Sequence, residues 1–236
     1  MRLAVMQPYL FPYLGYYQLV NAVDKFIFFD DVNYIVKGWI NRNQILQQHE
    51  AYRFTLPLIK ASQNRIINEI EIADFPKWRK DFLKQIEFNY KKSPCFAMIF
   101  PWLNDLLFSK EYKLVGELTA DSILAVARLL DLPTKFEFSS SLDYRNEGTQ
   151  DGQAKILRIC EIQGADNYIN PKNGTDLYDA QNFINKDIKL NFICMDEIIY
   201  RQFHADKFVP YLSIIDVLMF NDIDQTKALL NKYTLN

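Results

Sequence analysis

Short apolar runs separated by stretches of helical pattern recur along this chain, and that alternation limits the possible fold more than any other feature. Arg2 to Met6 is an apolar run ended by Pro8, Lys25 to Phe29 is a second, and Tyr16 to Val23 between them has the pattern of a short helix. This reads as a βαβ opening. Further on come a strand over Lys135 to Ser139, a helix stopped by Gly164, a strand over Asn167 to Asn170, a helix near Leu177 to Ile184 and a strand over Ile188 to Ile193. Between the two series, Tyr52, Phe54 and Leu56 alternate with polar residues, as do Ile70 and Ile72, so short strands exposed on one face are expected there. From Asp74 to Asp131 the period becomes helical, with Trp78, Phe82 and Ile86 on one stripe and Ile123, Val126, Ala127 and Leu130 on another. Ile214 to Phe220 and Thr226 to Tyr233 also read as helices. Such alternation predicts an α/β domain: a mainly parallel sheet with helices on both faces, Rossmann-like, for which a nucleotidylyltransferase-like arrangement is one form. The expected organisation is a single domain over 1–236 with a helical insertion at about 74–131.

The hydrophobic fraction of 49% is ample for a buried core. The 27 basic and 29 acidic residues are interspersed, so no basic stripe suggests nucleic acid as a partner. Three scattered cysteines without CxxC spacing and two distant histidines, His49 and His204, predict no zinc or iron site. With seven glycines, neither G-x-G-x-x-G nor G-x-x-x-x-G-K-[ST] occurs. Leu3 to Val23 carries no charge, but Gln7, Gln18, Asn21, two prolines and several tyrosines suit neither a membrane span nor a cleavable signal. A cytoplasmic protein without a membrane span is expected.

The first forty residues hold ten aromatics, and the run Gln7-Pro8-Tyr9-Leu10-Phe11-Pro12-Tyr13-Leu14-Gly15-Tyr16 follows the first strand. Two prolines stiffen it, Gly15 permits close approach, and the tyrosines offer ring faces and hydroxyls. In a parallel sheet, ligands bind beyond the carboxyl ends of the strands, which makes Gln7, Tyr9, Tyr13 and Tyr16 candidates. Asp30 and Asp31 end the second strand; paired carboxylates could hold a cation, share a proton or bond a sugar, and equally suit a turn or an N-cap. Lys37, Trp39, Asn41, Arg42 and Asn43 cluster planar donors around one indole, fit for a phosphate or carboxylate beside a stacked sugar or base. Ser139, Ser140 and Asn173 sit at later strand ends, where capping is as good a role as binding. The aromatic loop, the aspartate pair and the Asn41–Asn43 segment are expected to converge on one concave pocket. The catalytic candidates are Asp30, Asp31 and Tyr13, with the remaining residues binding substrate.

The opening Met6-Gln7-Pro8-Tyr9 through Tyr16, the Asp30-Asp31 pair, Gly38-Trp39-Ile40-Asn41-Arg42-Asn43, and Phe208-Val209-Pro210 with Leu212-Ser213-Ile214-Ile215-Asp216 resemble WbqC-like proteins from one end of the chain to the other. The resemblance implies a place in O-antigen and related lipopolysaccharide biosynthesis, with transfer of a glycyl or other acyl group to an amino sugar. It implies no catalytic residue set. Relatives often have two glycines where this chain has Asn173-Gly174. Separately, Tyr13-Leu14-Gly15-Tyr16 stands where nucleotidylyltransferases and pantothenate-synthetase-like ligases carry HxGH, with tyrosine in place of both histidines. Tyrosine can donate to phosphate but carries no positive charge.

Three functions are therefore carried forward. The first is a transferase or ligase forming an amide on a nucleotide-activated amino sugar, with a nucleotide sugar and an acyl donor as its small-molecule partners. The second is a nucleotidyl- or adenylate-forming enzyme using ATP with Mg²⁺. The third is a non-catalytic sugar-nucleotide-binding module, which would bind without turnover. A homodimer is left open.

Overall fold

A computed structural model describes residues 1–145, 151–203 and 208–236 of the chain. β1 (Arg2–Met6), α1 (Leu14–Ala22) and β2 (Lys25–Phe28) form the opening βαβ unit. A hairpin of β3 (Arg42–Gln47) and β4 (Glu50–Thr55) follows, then α2 (Phe75–Tyr90), α3 (Phe96–Phe108) and α4 (Val115–Leu129). β5 (Lys135–Phe138), α5 (Gly152–Gln163), β6 (Asn167–Pro171), α6 (Ala180–Ile184) and β7 (Lys189–Met195) resume the alternation. The chain closes with α7 (Ile214–Phe220), α8 (Ile223–Leu230) and β8 (Tyr233–Leu235).

The six-stranded sheet has the order β5-β2-β1-β6-β7-β8, parallel except for β8 against β7. From β1 the chain steps outward through β2 to β5, then returns to the other side of β1 and continues outward through β6 and β7. This is a doubly wound, Rossmann-like α/β fold whose order reverses between β1 and β6. Alternate residues of the central strands enter opposite cores: Ala4, Phe26 and Phe28 pack with α1, α2 and α4, while Leu3, Val5, Ile27 and Tyr168 pack with Ile156 and Ile159 of α5 and Phe183 of α6. Burial on both faces explains why β1 reads as a continuous apolar run.

Local signals set several helix ends. The Asp74 carboxylate accepts from Lys77 N at the start of α2, with Pro76 in its first turn, and Asp151 accepts from Ala154 N at the start of α5. Gly164 ends α5 at φ 64°, in the left-handed region. Asp222 and Gln225 make a reciprocal capping box on α8. The three helices over 75–129 lie within the long connection from β2 to β5, together with the β3–β4 hairpin. Ile70 and Ile72 depart from their expected strands: Ile67–Glu69 is a 3-10 turn, and Leu58–Ile72 and Glu71–Leu114 are isolated bridges. The last expected helix stops at Leu230, and β8 adds an antiparallel edge strand instead. Among the described residues, no helix is long and apolar enough to cross a membrane.

Candidate functional site

Beyond the carboxyl ends of β1 and β6, where the strand order reverses, lies an open cleft of about 870 Å³. The helices that follow these two strands pack on opposite sides of the sheet, so their connections part and leave a crevice, and the volume suits a small molecule. β1 and its following loop contribute Met6, Gln7 and Tyr9; β6 and the 3-10 turn Lys172–Leu177 contribute Asn170, Asn173, Gly174 and Asp176. Asp151 and Gln153 come from the start of α5, Tyr178 and Asp179 from the approach to α6, and Ile35 from the loop after β2.

The floor is polar and tightly arranged. Asn170 is only 6% exposed, and its amide donates to the phenol oxygens of Tyr168 (2.8 Å) and Tyr178 (3.1 Å). Those phenols lie 3.1 Å apart, and burial pushes both above the ordinary tyrosine range, so they are neutral. Gly174 packs directly on the Asn170 side chain, whose oxygen would overlap any β-carbon at 174. Gln7 lines the same cleft, with its Oε1 buried and without a hydrogen-bond partner among the described residues. At the rim, Asp151 and Asp179 cap helices through Ala154 N and Gln181 N. No lysine, arginine or histidine is among the described residues that line the cleft.

Of the residues singled out from the sequence, Gln7, Tyr9 and Asn173 line this cleft. Lys37 and Trp39 lie on the neighbouring loop and Arg42 opens β3, continuous with Ile35 of the cleft wall: Gly38 N donates to Ile35 O at 3.0 Å, and Arg42 Nε donates to Gly38 O at 2.6 Å. Trp39 is 43% exposed, with the guanidinium carbons of Arg42 and Arg53 at 5.8 and 6.0 Å from its ring centre. Neither arginine pairs with a carboxylate among the described residues.

The other candidates are engaged inside the protein. Asp30 Oδ1 accepts from Ser140 N (3.0 Å) and Ser139 Oγ (3.1 Å), and Oδ2 from Ser140 Oγ (2.7 Å) and Asn68 Nδ2 (3.1 Å). Asp31 accepts from Ser139 and from Tyr144 OH (2.9 Å), and its Oδ2 pairs with Arg145 at 2.9 Å. Burial, with the Asp31 carboxylate also acting, pushes the Tyr144 phenol up to about 12. The aspartate pair thus pins the segment leading from β5 toward α5. Asn41 accepts from Tyr34 OH (2.7 Å) and donates to Leu56 O, while Asn43 donates to Leu10 O and Phe11 O, fastening the aromatic loop to the hairpin. Tyr16 OH donates to Gln7 O at 2.9 Å, setting the backbone at the mouth of β1. Tyr13 precedes α1 and packs against Tyr211, its ring centre 6.2 Å away, beside a separate small recess. The expected single pocket therefore takes the start of the aromatic loop, while Tyr13, Asp30, Asn41 and Asn43 lie outside its lining because each is drawn into a contact of its own. Sequence reasoning passed over Asn170, Asp151, Asp176 and Asp179. The available signal was a polar residue closing a buried strand four positions before a glycine.

Among the described residues no group of three or more histidine, cysteine or acidic side chains is placed to hold a metal ion, and His204 lies outside those residues.

The model of the WbqC-like protein family matches residues 7–228, a span that holds the aromatic loop, most of the cleft lining and α7. The chain belongs to the WbqC-like protein family. This WbqC-like protein is 28% identical over 224 residues to an uncharacterized protein of Mycobacterium tuberculosis, covering 93% of each chain. No solved structure matches the WbqC-like chain significantly.

Proposed function

We propose that this WbqC-like protein is a transferase that forms an amide on a nucleotide-activated amino sugar of surface-polysaccharide (O-antigen) synthesis, with the sugar in the switch-point cleft. One observation carries this reading: the cleft offers acidic and neutral oxygens and no cation among the described residues that line it, while cationic side chains stand outside it around Trp39. A sugar nucleotide has the same division, an uncharged or aminated ring at one end and an anionic nucleotide at the other. The sugar would enter between Gln7, Asn170 and Asn173. The diphosphate would meet Arg42, Arg53 and Lys37, and the base would stack on Trp39. Tyr9, whose phenol is held neutral chiefly by burial, would cover the ring.

In the reaction, the amine lone pair forms a bond to the carbonyl carbon of an activated acyl group, glycyl or similar. The bond from that carbon to its activating group breaks, and its electron pair leaves with that group. Asp176 at the rim, whose side chain makes no hydrogen bond among the described residues, is suited to take the proton that frees the lone pair when the amino group arrives as an ammonium, and the proton lost on acylation leaves with the activating group. Asp30 and Asp31 act at one remove, positioning the segment that leads to α5.

A thermal-shift screen of UDP- and dTDP-linked amino sugars, followed by incubation with glycyl and acetyl thioesters and mass spectrometry, tests the proposal. The expected results are a raised melting temperature and a product carrying one added acyl group. Stabilisation by ATP with Mg²⁺ and by no sugar nucleotide would replace the proposal with an adenylate- or nucleotidyl-transferring enzyme. Binding without product under every donor would leave a binding module.

A further inference from the structure

Buried polar atoms in folded proteins almost always have partners, because an unsatisfied one costs about 1–3 kcal/mol. One amide oxygen of the cleft lining breaks this rule, and a second accepts no hydrogen bond among the described residues. Gln7 Oε1 is buried with no hydrogen-bond partner among the described residues. Asn170 directs its amide nitrogen to both phenols, so the group left over is Oδ1, which accepts no hydrogen bond among the described residues. The phenol pair is itself fixed, since Tyr168 OH lies 3.5 Å from Val5 O and 3.1 Å from Tyr178 OH. With both amide hydrogens committed, Asn170 presents an acceptor. The missing β-carbon of Gly174 provides the room it occupies.

We infer that Gln7 and Asn170 form a donor-reading subsite that binds the protonated amino group of the substrate sugar and discriminates against its acylated form. The inference rests on the proposed function for the identity of the ligand, and on the two unpartnered oxygens for its chemistry. An ammonium group carries three hydrogens and a positive charge, matching two amide oxygens within an acidic lining. A hydroxyl has one hydrogen and no charge. Acylation removes the charge, leaves a single N–H and adds a carbonyl oxygen that would face other acceptors. The subsite therefore selects the unreacted amine and favours release of the amide product.

Titration calorimetry with UDP-glucosamine, UDP-N-acetylglucosamine and UDP-glucose tests it. UDP-glucosamine is expected to bind at least about tenfold more tightly than the other two, and Gln7→Met to abolish that preference. Gln7→Glu, which keeps an acceptor and adds charge, should retain it. Gln7 makes no side-chain hydrogen bond among the described residues, so Gln7→Met should melt at or above the wild-type temperature, which separates lost recognition from lost folding. Equal affinity for the three ligands, or an intact preference in Gln7→Met, overturns the inference while leaving sugar-nucleotide binding in place. Should none of the three bind, the proposed substrate falls, and the subsite is judged on free glucosamine against glucose at millimolar concentration. Selective shifts of the Gln7 and Asn170 side-chain amide resonances with glucosamine would then sustain it. No such shifts would refute it.

Discussion

A β-carbon at position 174 would overlap the side-chain oxygen of Asn170, so Gly174 and Asn170 hold their places as a pair. Asn170 cannot swing aside freely, because its amide is tied to Tyr168 and Tyr178 in a site only 6% exposed. Gly174→Ala is therefore expected to destabilise the protein by roughly 1–3 kcal/mol through overpacking. In Asn170→Ala the obstructing oxygen is gone, so adding Gly174→Ala to that variant should cost much less. Urea unfolding of the two single variants and the double variant measures the coupling, expected at about 0.5–3 kcal/mol. Strict additivity would mean that the two residues do not constrain each other.

Asp31 makes a comparable prediction on the other side of the sheet's midline. Its carboxylate takes Ser139, the fully buried Tyr144 and the half-exposed Arg145. Asp31→Ala leaves the buried Tyr144 hydroxyl without its acceptor, while Ser139 keeps Asp30, and should cost about 1–3 kcal/mol. Arg145→Ala removes a partner whose side chain is 50% exposed, so solvent screening should hold its cost below about 1 kcal/mol. Denaturant unfolding distinguishes the two. Equal losses would make the ion pair, and not the buried hydrogen bonds, the dominant contact.

The sheet was legible in the sequence because strands buried on both faces leave unbroken apolar runs, as Leu3-Ala4-Val5 and Phe26-Ile27-Phe28 do. β8 was not legible: Tyr233 to Leu235 is a strand only because it pairs with Ile193 to Met195, a long-range contact with no local period. Position relative to strand ends was enough to pick out Gln7, Tyr9 and Asn173, since the switch-point rule needs only the order of elements. Asn170 reads as the last residue of a strand, and its part depends on Tyr178 and Gly174 folding back over it. Likewise, a pair such as Asp30-Asp31 looks the same in sequence whether it faces a ligand or is satisfied by Ser139, Ser140 and Tyr144, more than a hundred residues away.

Asp216 gives the fold a pH dependence. It is fully buried, accepting from Tyr90 OH (2.7 Å), Tyr200 OH (2.6 Å) and Gln202 Nε2 (2.9 Å), and burial raises its pKa despite those three donors. A raised carboxyl binds its proton more tightly folded than unfolded, so its contribution to stability is full below the ordinary carboxylate range and is lost as pH rises through the raised value. Asp216→Asn has no such titration. Compared by urea unfolding across acid to neutral pH, the wild type should lose ground to Asp216→Asn as pH rises, with the difference constant once the carboxylate is ionised. Asp216→Ala, which strands three donors, should be less stable than either by at least about 1–3 kcal/mol at every pH. A pH-independent gap between wild type and Asp216→Asn would contradict the raised pKa.

Trp39 supplies an optical test of the nucleotide end of the proposed site. Trp78 is 9% exposed and Trp102 partly buried, whereas Trp39 is 43% exposed between Arg42 and Arg53, so a base stacking on the surface should perturb Trp39 fluorescence first. Titration with UDP is expected to change the emission of the wild type and to leave that of Trp39→Phe almost unchanged. Arg42 spends its Nε on Gly38 O, leaving the outer nitrogens for a phosphate. Arg42→Lys keeps the charge and loses the planar fork, so it should weaken UDP binding; Arg42→Ala should weaken it further, by roughly 1–3 kcal/mol. Added salt should lower the wild-type affinity more than that of Arg42→Ala, since one of the screened charges is gone from the variant. Circular dichroism provides the folding control. If both arginine variants remain folded and bind UDP as tightly as the wild type, the Trp39–Arg42–Arg53 cluster is a surface turn, and the nucleotide must be sought elsewhere around the cleft.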